Sequence, residues 1–278
     1  MKKTFQYLGV LVLLCISFIY TEKTASVVKE MDQIMIEIKE YAKTYKVEPI
    51  EAILKDNTII PGINGSEIDV NKSYQDMRMI GMYNEKYLKY KSIKVSNLLL
   101  NNKDKYIING NPKKQQISMV FLVESRSNIE KILEIVNNNG IKVNFFIDGT
   151  WLENNNDTVM DIAREEHVLG NLSYNYDYSN TSLTWIDTVI KRFIKQENSY
   201  CIKTDDNGLK VCSMNKNYTI EPIIINENPL INTKRELKNG AILAYKINSK
   251  LENELDLIIK YVQSKGLAIE TLNVLLQE

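Results

Sequence analysis

His167 is the single histidine of a 278-residue chain, and that count limits the chemistry first. A metal site built on several imidazoles, or a mechanism that needs two of them, is excluded. Carboxylates remain. Glu124 and Asp148 each follow directly on a stretch that reads as a strand, so the two side chains can face one cleft. A carboxylate pair flanking a glycosidic bond hydrolyses it without a metal at separations of about 5 Å or about 6.5–9.5 Å. Cys201 and Cys212 bracket a segment whose Asp206-Asn207-Gly208 is a hairpin turn signal. Folding there sets the thiols opposite each other, ready for a structural disulfide in an oxidising compartment. Two buried free thiols are the alternative, because turn register is not fixed by sequence.

Basic and acidic residues both number 35, so the chain has no net charge and none of the basic excess of a nucleic-acid binder. Its 44% hydrophobic and 25% charged content is that of a globular chain with a sizeable core. Met1-Lys2-Lys3 followed by the uncharged run from Tyr7 to Tyr20 has the layout of a secretory signal. A small-x-small cleavage site is missing, and Cys15 lacks the small preceding residue of a lipobox. Residues 1–21 are therefore expected to be an uncleaved signal anchor, in the membrane through residues 4–21, with Lys2 and Lys3 inside. That makes a single-pass cell-membrane protein with an extracytoplasmic carboxyl-terminal domain; secretion after cleavage is the alternative.

Residues 22–48 carry a heptad-like seam of Val28, Met31, Met35, Ile38, Ala42 and Tyr45. It fits an amphipathic helix packed on its own domain, or a stalk that forms a homodimer through residues 28–45. Residues 49–114 read as a small α/β module in which Asp69 caps a helix bearing Val70, Tyr74 and Met77. From 115 to 278 the chain alternates. Ile117–Val123 is a continuous apolar run, as in a strand covered on both faces. A helix follows, with Ser127 as its cap and Gly140 at its end, then a strand over Ile141–Ile147 and a helix capped by Asp157. Val168–Asn171 is a strand, Trp185–Lys195 a helix, Glu221–Ile225 a strand and Lys234–Lys238 a short helix. Ala241–Ile247 is another strand, Leu251–Ser264 an amphipathic helix and Leu267–Thr271 the last strand. Such alternation predicts parallel strands covered by helices, with chemistry at the carboxyl ends of the strands.

The wording of these elements resembles the NodB-homology polysaccharide deacetylases, metal-dependent enzymes that remove acetyl groups from chitin-like and peptidoglycan sugars. ISMVFLVES, NIEKILEIVNNNGIKVNFFIDG, REEHVLGNLSYNY, NGAILAYKI and YVQSKGLAIETLNVLLQE carry the likeness. It implies an α/β fold, a NodB-like distorted (β/α) barrel over residues 115–278, preceded by the membrane anchor, a helix and the small α/β module. The departures concern the chemistry. The family's Asp-Asp pair aligns with Leu122 and Val123, base and metal ligand respectively. Its two histidine ligands align with Leu172 and Tyr176, and the histidine that acts as acid aligns with Lys246. His167 matches no ligand position and reads as a packing or hydrogen-bonding residue.

Leucine and valine offer a metal no lone pair, and without the ion no water is activated near neutral pH. The resemblance thus implies a pseudoenzyme that needs no cofactor and binds cell-wall glycan or an envelope protein through the former groove. Asn171, Ser173, Tyr174, Asn175 and Tyr176 supply the amides, hydroxyls and rings that sugar contacts use. Two further readings stay open: a divergent hydrolase, either a deacetylase or a glycosidase using Glu124 and Asp148, and an assembly protein acting through residues 28–110.

Overall fold

Gln116–Val123 is the central strand, buried from Ile117 onward because both faces are covered. The computed structural model describes residues 2–193 and 199–278. It divides into two compact units, one of Met1–Pro49 with Asn64–Ile93 and one of Ile50–Ile63 with Lys94–Glu278.

The larger unit is built on one curled, mostly parallel sheet of the half-barrel type. Its strands run in the order Ile53–Lys55, Thr58–Ile60, Tyr106–Ile107, Tyr218–Ile220, Tyr200–Ile202, Val168–Asn171, Asn144–Ile147, Gln116–Val123, Ile242–Lys246 and Ile223–Ile225. Ala268–Ile269 adds a short pairing at the start of the central strand. Among the described residues no pairing joins the two ends of this order, so the expected barrel is a half-barrel.

Strand alternation divides the core in two. Phe121, Val123, Phe145 and Ile147 point toward the helices, where Ile132, Val136, Leu255, Ile258 and Ile259 cover them. Val120, Leu122, Phe146 and Ala244 point to the concave side, where Leu272, Leu275 and Leu276 from the carboxyl terminus fill the floor. A buried amide fastens that floor. Asn144 Nδ2 donates to Ser118 Oγ at 2.7 Å and to Met119 O at 2.8 Å, while its Oδ1 accepts from Leu272 N at 2.8 Å. The concave side is thus closed at one end and carries chemistry only at the carboxyl ends of the strands.

Several sequence expectations change. The stretch between the cysteines is a strand followed by a helix, not a hairpin: Cys201 lies in Tyr200–Ile202 and Cys212 in the helix Asp206–Met214. Asp205 Oδ1 accepts from Gly208 N at 2.7 Å and caps that helix. A Cβ on Gly208 would lie 2.2 Å from Thr204 Oγ1, so the glycine serves a close approach at a helix start. The Cys201–Cys212 disulfide nevertheless forms, with both residues buried. Closing a loop of about a dozen residues contributes roughly 3 kcal/mol.

The helix Glu130–Asn138 takes its first bond from Asn128 Oδ1, 3.0 Å from Glu130 N, rather than from Ser127. Asp157 sits inside the first turn of Asn156–Arg164, and Asn155 is the cap. The expected Trp185–Lys195 helix begins earlier, at Asn180, and is described to Phe193; Lys195 lies outside the described residues.

Residues 49–114 are not one module. Thr58–Ile60 pairs with Tyr106–Ile107, which pairs with Tyr218–Ile220, so Ile59 and Ile107 enter the concave core of the larger unit.

In the smaller unit, Lys2–Glu30 is one helix, and its Leu11–Glu30 stretch of mean hydropathy 1.6 has the length and composition to cross a membrane. Asp32 interrupts it and caps the next helix, Gln33–Thr44, accepting from Ile34 N at 2.9 Å. The seam expected over residues 28–45 is therefore broken. Met35 and Ile38 are buried inside the unit with Tyr74, Met77 and Leu88, while Val28, Met31 and Tyr45 stay exposed. Asp69 caps Val70–Ile80 as expected.

Candidate functional site

The carboxyl ends of four neighbouring strands bring Leu122, Glu124, Asp148, the 171–178 loop and Lys246 to one edge of the larger unit. Leu122 lies opposite Lys246 in the register, and Val123 opposite Ile147. Leu122 and Leu172 are buried in the concave apolar cluster, with Tyr176 packed against it. Val123 is buried on the other face, among the helices. The next residue on the concave side is Glu124, and it meets two partners from distant segments. Tyr176 Oη donates to Glu124 Oε1 at 2.9 Å, and Lys246 Nζ lies 3.4 Å from the same oxygen. Burial first, and then the Glu124 carboxylate, hold the Tyr176 phenol far above its ordinary pKa, so it remains a donor.

The loop that carries Tyr176 is held in an unusual shape. Ser173, Asn175 and Tyr176 have φ of 57°, 51° and 63°, the left-handed region. Each costs a residue with a side chain roughly 1–2 kcal/mol. Asp148 offsets part of this strain. Its Oδ1 accepts from Thr150 N at 2.8 Å and Trp151 N at 3.3 Å, and its Oδ2 from Asn175 N at 2.6 Å. Asp148 is 3% exposed, and both its oxygens are engaged by backbone. It is a positioning residue, not half of a hydrolytic pair with Glu124.

Asn171 and Ser173 are likewise structural. Asn171 Nδ2 donates to Asp187 Oδ1 at 2.8 Å, its Oδ1 accepts from Ser173 N at 2.7 Å, and Ser173 Oγ donates to Asp177 O at 2.5 Å. Both are fully buried, so only Tyr174, Asn175 and Tyr176 of the expected sugar-contacting set reach the surface.

His167 sits behind the strands. Its Nδ1 accepts from Val143 N at 3.2 Å, so Nε2, 3.0 Å from Asn137 Oδ1, carries the proton. Burial, reinforced by Lys142, lowers its pKa to about 4. A histidine that charges more readily unfolded than folded costs stability as pH falls from its unfolded value near 6.5 to about 4. The loss approaches about 3.5 kcal/mol, the difference between about 6.5 and about 4 multiplied by about 1.4 kcal/mol per pH unit. Urea midpoints at pH 7 and pH 4 test this: His167→Gln is expected to lose distinctly less stability than the wild type. Equal losses in the two proteins would refute it.

Residues 109–204 match the polysaccharide deacetylase family model. This stretch resembles a polysaccharide deacetylase domain. YlxY of Bacillus subtilis, an uncharacterized protein, is 34% identical over 155 residues, which are 55% of this chain and 49% of that one. The match therefore spans about half of that relative. BA3943 of Bacillus anthracis, a CE4 family pseudoenzyme, is 23% identical, with 89% of this chain and 96% of that one covered and a TM-score of 0.66. A BA3943 mutant with restored enzymatic activity matches at 22% identity over 89% and 99% of the two chains, TM-score 0.66. PdaA of Bacillus subtilis, a family 4 carbohydrate esterase, matches at 16% identity over 82% and 97%, TM-score 0.54. At these identities the structural likeness is one of fold.

The residues at this edge do not fit the metal that the resemblance implies. Leu122, Val123 and Leu172 have no donor atoms, and an ammonium has no lone pair to give. Among the described residues no group of three or more histidine, cysteine, aspartate or glutamate side chains is gathered for an ion. At the same edge Glu124, Tyr176 and Lys246 form a polar cluster. Sequence reasoning named its members separately and missed their contact, since Glu124 and Tyr176 are 52 residues apart. Strand parity was the available signal: with Leu122 on the concave side, Glu124 follows it there.

Proposed function

We propose that this chain is a membrane-anchored, extracytoplasmic deacetylase-like protein without deacetylase activity, and that its former groove binds cell-wall glycan. The observation that carries the reading is the replacement of every donor position by hydrocarbon or by the Glu124–Tyr176–Lys246 cluster, on an otherwise retained fold. A carboxylate, a phenol and an ammonium side by side offer acceptors and donors to sugar hydroxyls, and no means of activating water as a metal does. The likeness to BA3943, a pseudoenzyme of which a mutant has restored activity, supports a fold that outlives its chemistry. The apolar Lys2–Glu30 helix and the buried disulfide support the location. The test uses the full chain in detergent micelles with purified insoluble wall glycan. Co-sedimentation is expected, weakened about tenfold by Lys246→Ala combined with Tyr176→Phe, with no acetate released and no stoichiometric zinc. Chelator-sensitive acetate release, or a protein that stays in the supernatant, would overturn the reading.

A further inference from the structure

Beside Tyr176 the same loop holds a second feature that the groove reading does not use. Tyr174 and Trp185 stand with ring centroids 6.2 Å apart and planes inclined by 31°. Trp185 is 40% exposed, unusual for so large an apolar side chain on a helix whose Leu183, Ile186 and Ile190 are all buried. Tyr174 is fixed on two sides. A Cβ on Gly149 would lie 2.7 Å from its ring, so the ring lies on the glycine backbone. Its hydroxyl donates to Glu153 Oε1 at 2.5 Å, and burial together with that carboxylate pushes its pKa up to about 12. The φ of 57° and 51° at Ser173 and Asn175 brackets it, so the strained loop conformation sets where the ring stands.

From this geometry we infer that Tyr174, on the loop that also carries Tyr176, and Trp185 form a stacking subsite for a pyranose ring, receiving a further sugar of the same glycan. The inference rests on the glycan-binding reading and deepens it, since it assigns an occupant class to a particular pair of rings. Aromatic faces carry partial negative charge, and the C–H bonds on one face of a pyranose are polarised positively by their oxygens. Donation of the Tyr174 hydroxyl to a carboxylate adds electron density to that ring. Glu153 is exposed and keeps Oε2 as an acceptor for a sugar hydroxyl. An aliphatic peptide side chain would use the rings but not the acceptor; a saccharide uses both. Because the rings are held before any ligand arrives, little rotamer entropy is lost on binding.

The test titrates the full chain in detergent with chitohexaose, a β-1,4-linked N-acetylglucosamine oligomer, by calorimetry, with insoluble wall glycan sedimented in parallel. Trp185→Ala is expected to weaken chitohexaose binding about tenfold, the equivalent of about 1.4 kcal/mol. Trp185→Tyr should recover most of it, and Tyr174→Phe should fall between, since it keeps a ring but loses the Glu153 contact. Trp185 is surface-exposed, and the tyrosine variant separates loss of stacking from loss of fold. If the wild type binds and Trp185→Ala binds equally well, the subsite is wrong and the groove reading stands. If the wild type binds neither chitohexaose nor wall glycan, both fall together.

Discussion

Val123→Asp is expected to destabilise the larger unit by about 3–5 kcal/mol, the cost of an unpaired charge in a packed interior. Val123 is completely buried in one apolar cluster with Phe121, Phe145, Ile147 and residues of the covering helices. Leu122→Asp on the opposite face is expected to cost distinctly less, because Lys246 stands opposite position 122 in the register. Equilibrium denaturation of the two variants reads the difference. The comparison matters for function as well as stability. The sequence resemblance puts residue 123 at a metal-ligand position, whereas its side chain packs with the helix-side cluster, on the face opposite Leu122 and Leu172. A smaller loss for Val123→Asp than for Leu122→Asp would mean that the strand end turns and that residue 123 faces the groove after all.

The alternation of buried strands and amphipathic helices was legible from residue 115 onward because each element states its own period. Ile117–Val123 is apolar but for Ser118, and Val168–Asn171 is observed with the bounds expected. The hairpin between the cysteines was misread because Asp-Asn-Gly serves a turn and a helix start equally well. Asp205, one residue earlier, decides for the helix by capping it. Residues 50–63 and 94–114 were assigned to the wrong unit for a different reason. Thr58–Ile60 and Tyr106–Ile107 are short strands whose membership is decided by pairing with Tyr218–Ile220, more than a hundred residues away. The same limit applies at the site. The role of Asp148 as the anchor of a strained loop, and the burial of Asn171 and Ser173, are properties of contacts.

The double variant Leu172→His, Tyr176→His is expected to bind one divalent ion per chain, from no detectable binding to a Kd on the order of micromolar. Tyr176 N–H donates to Leu172 O at 3.0 Å, and both side chains pack in the same concave apolar cluster. Tyr176 reaches Glu124 Oε1 at 2.9 Å, so a shorter imidazole at 176 leaves room for an ion between ring and carboxylate. Zinc needs about 2.0–2.2 Å to each nitrogen and oxygen, and two imidazoles with Glu124 provide three ligands. Either single variant provides only two and is expected to bind too weakly to measure. Lys246 Nζ, 3.4 Å from the Glu124 oxygen, opposes a second cation, so adding Lys246→Ala should tighten the complex. Cobalt titration with visible absorption checks each variant. Deacetylation is not expected to return with the ion, because Leu122 still stands where the base is needed. A folded double variant that takes up no cobalt would show that the turn from Leu172 to Tyr176 no longer presents the geometry of a metal site, and that the groove has changed in shape as well as in chemistry.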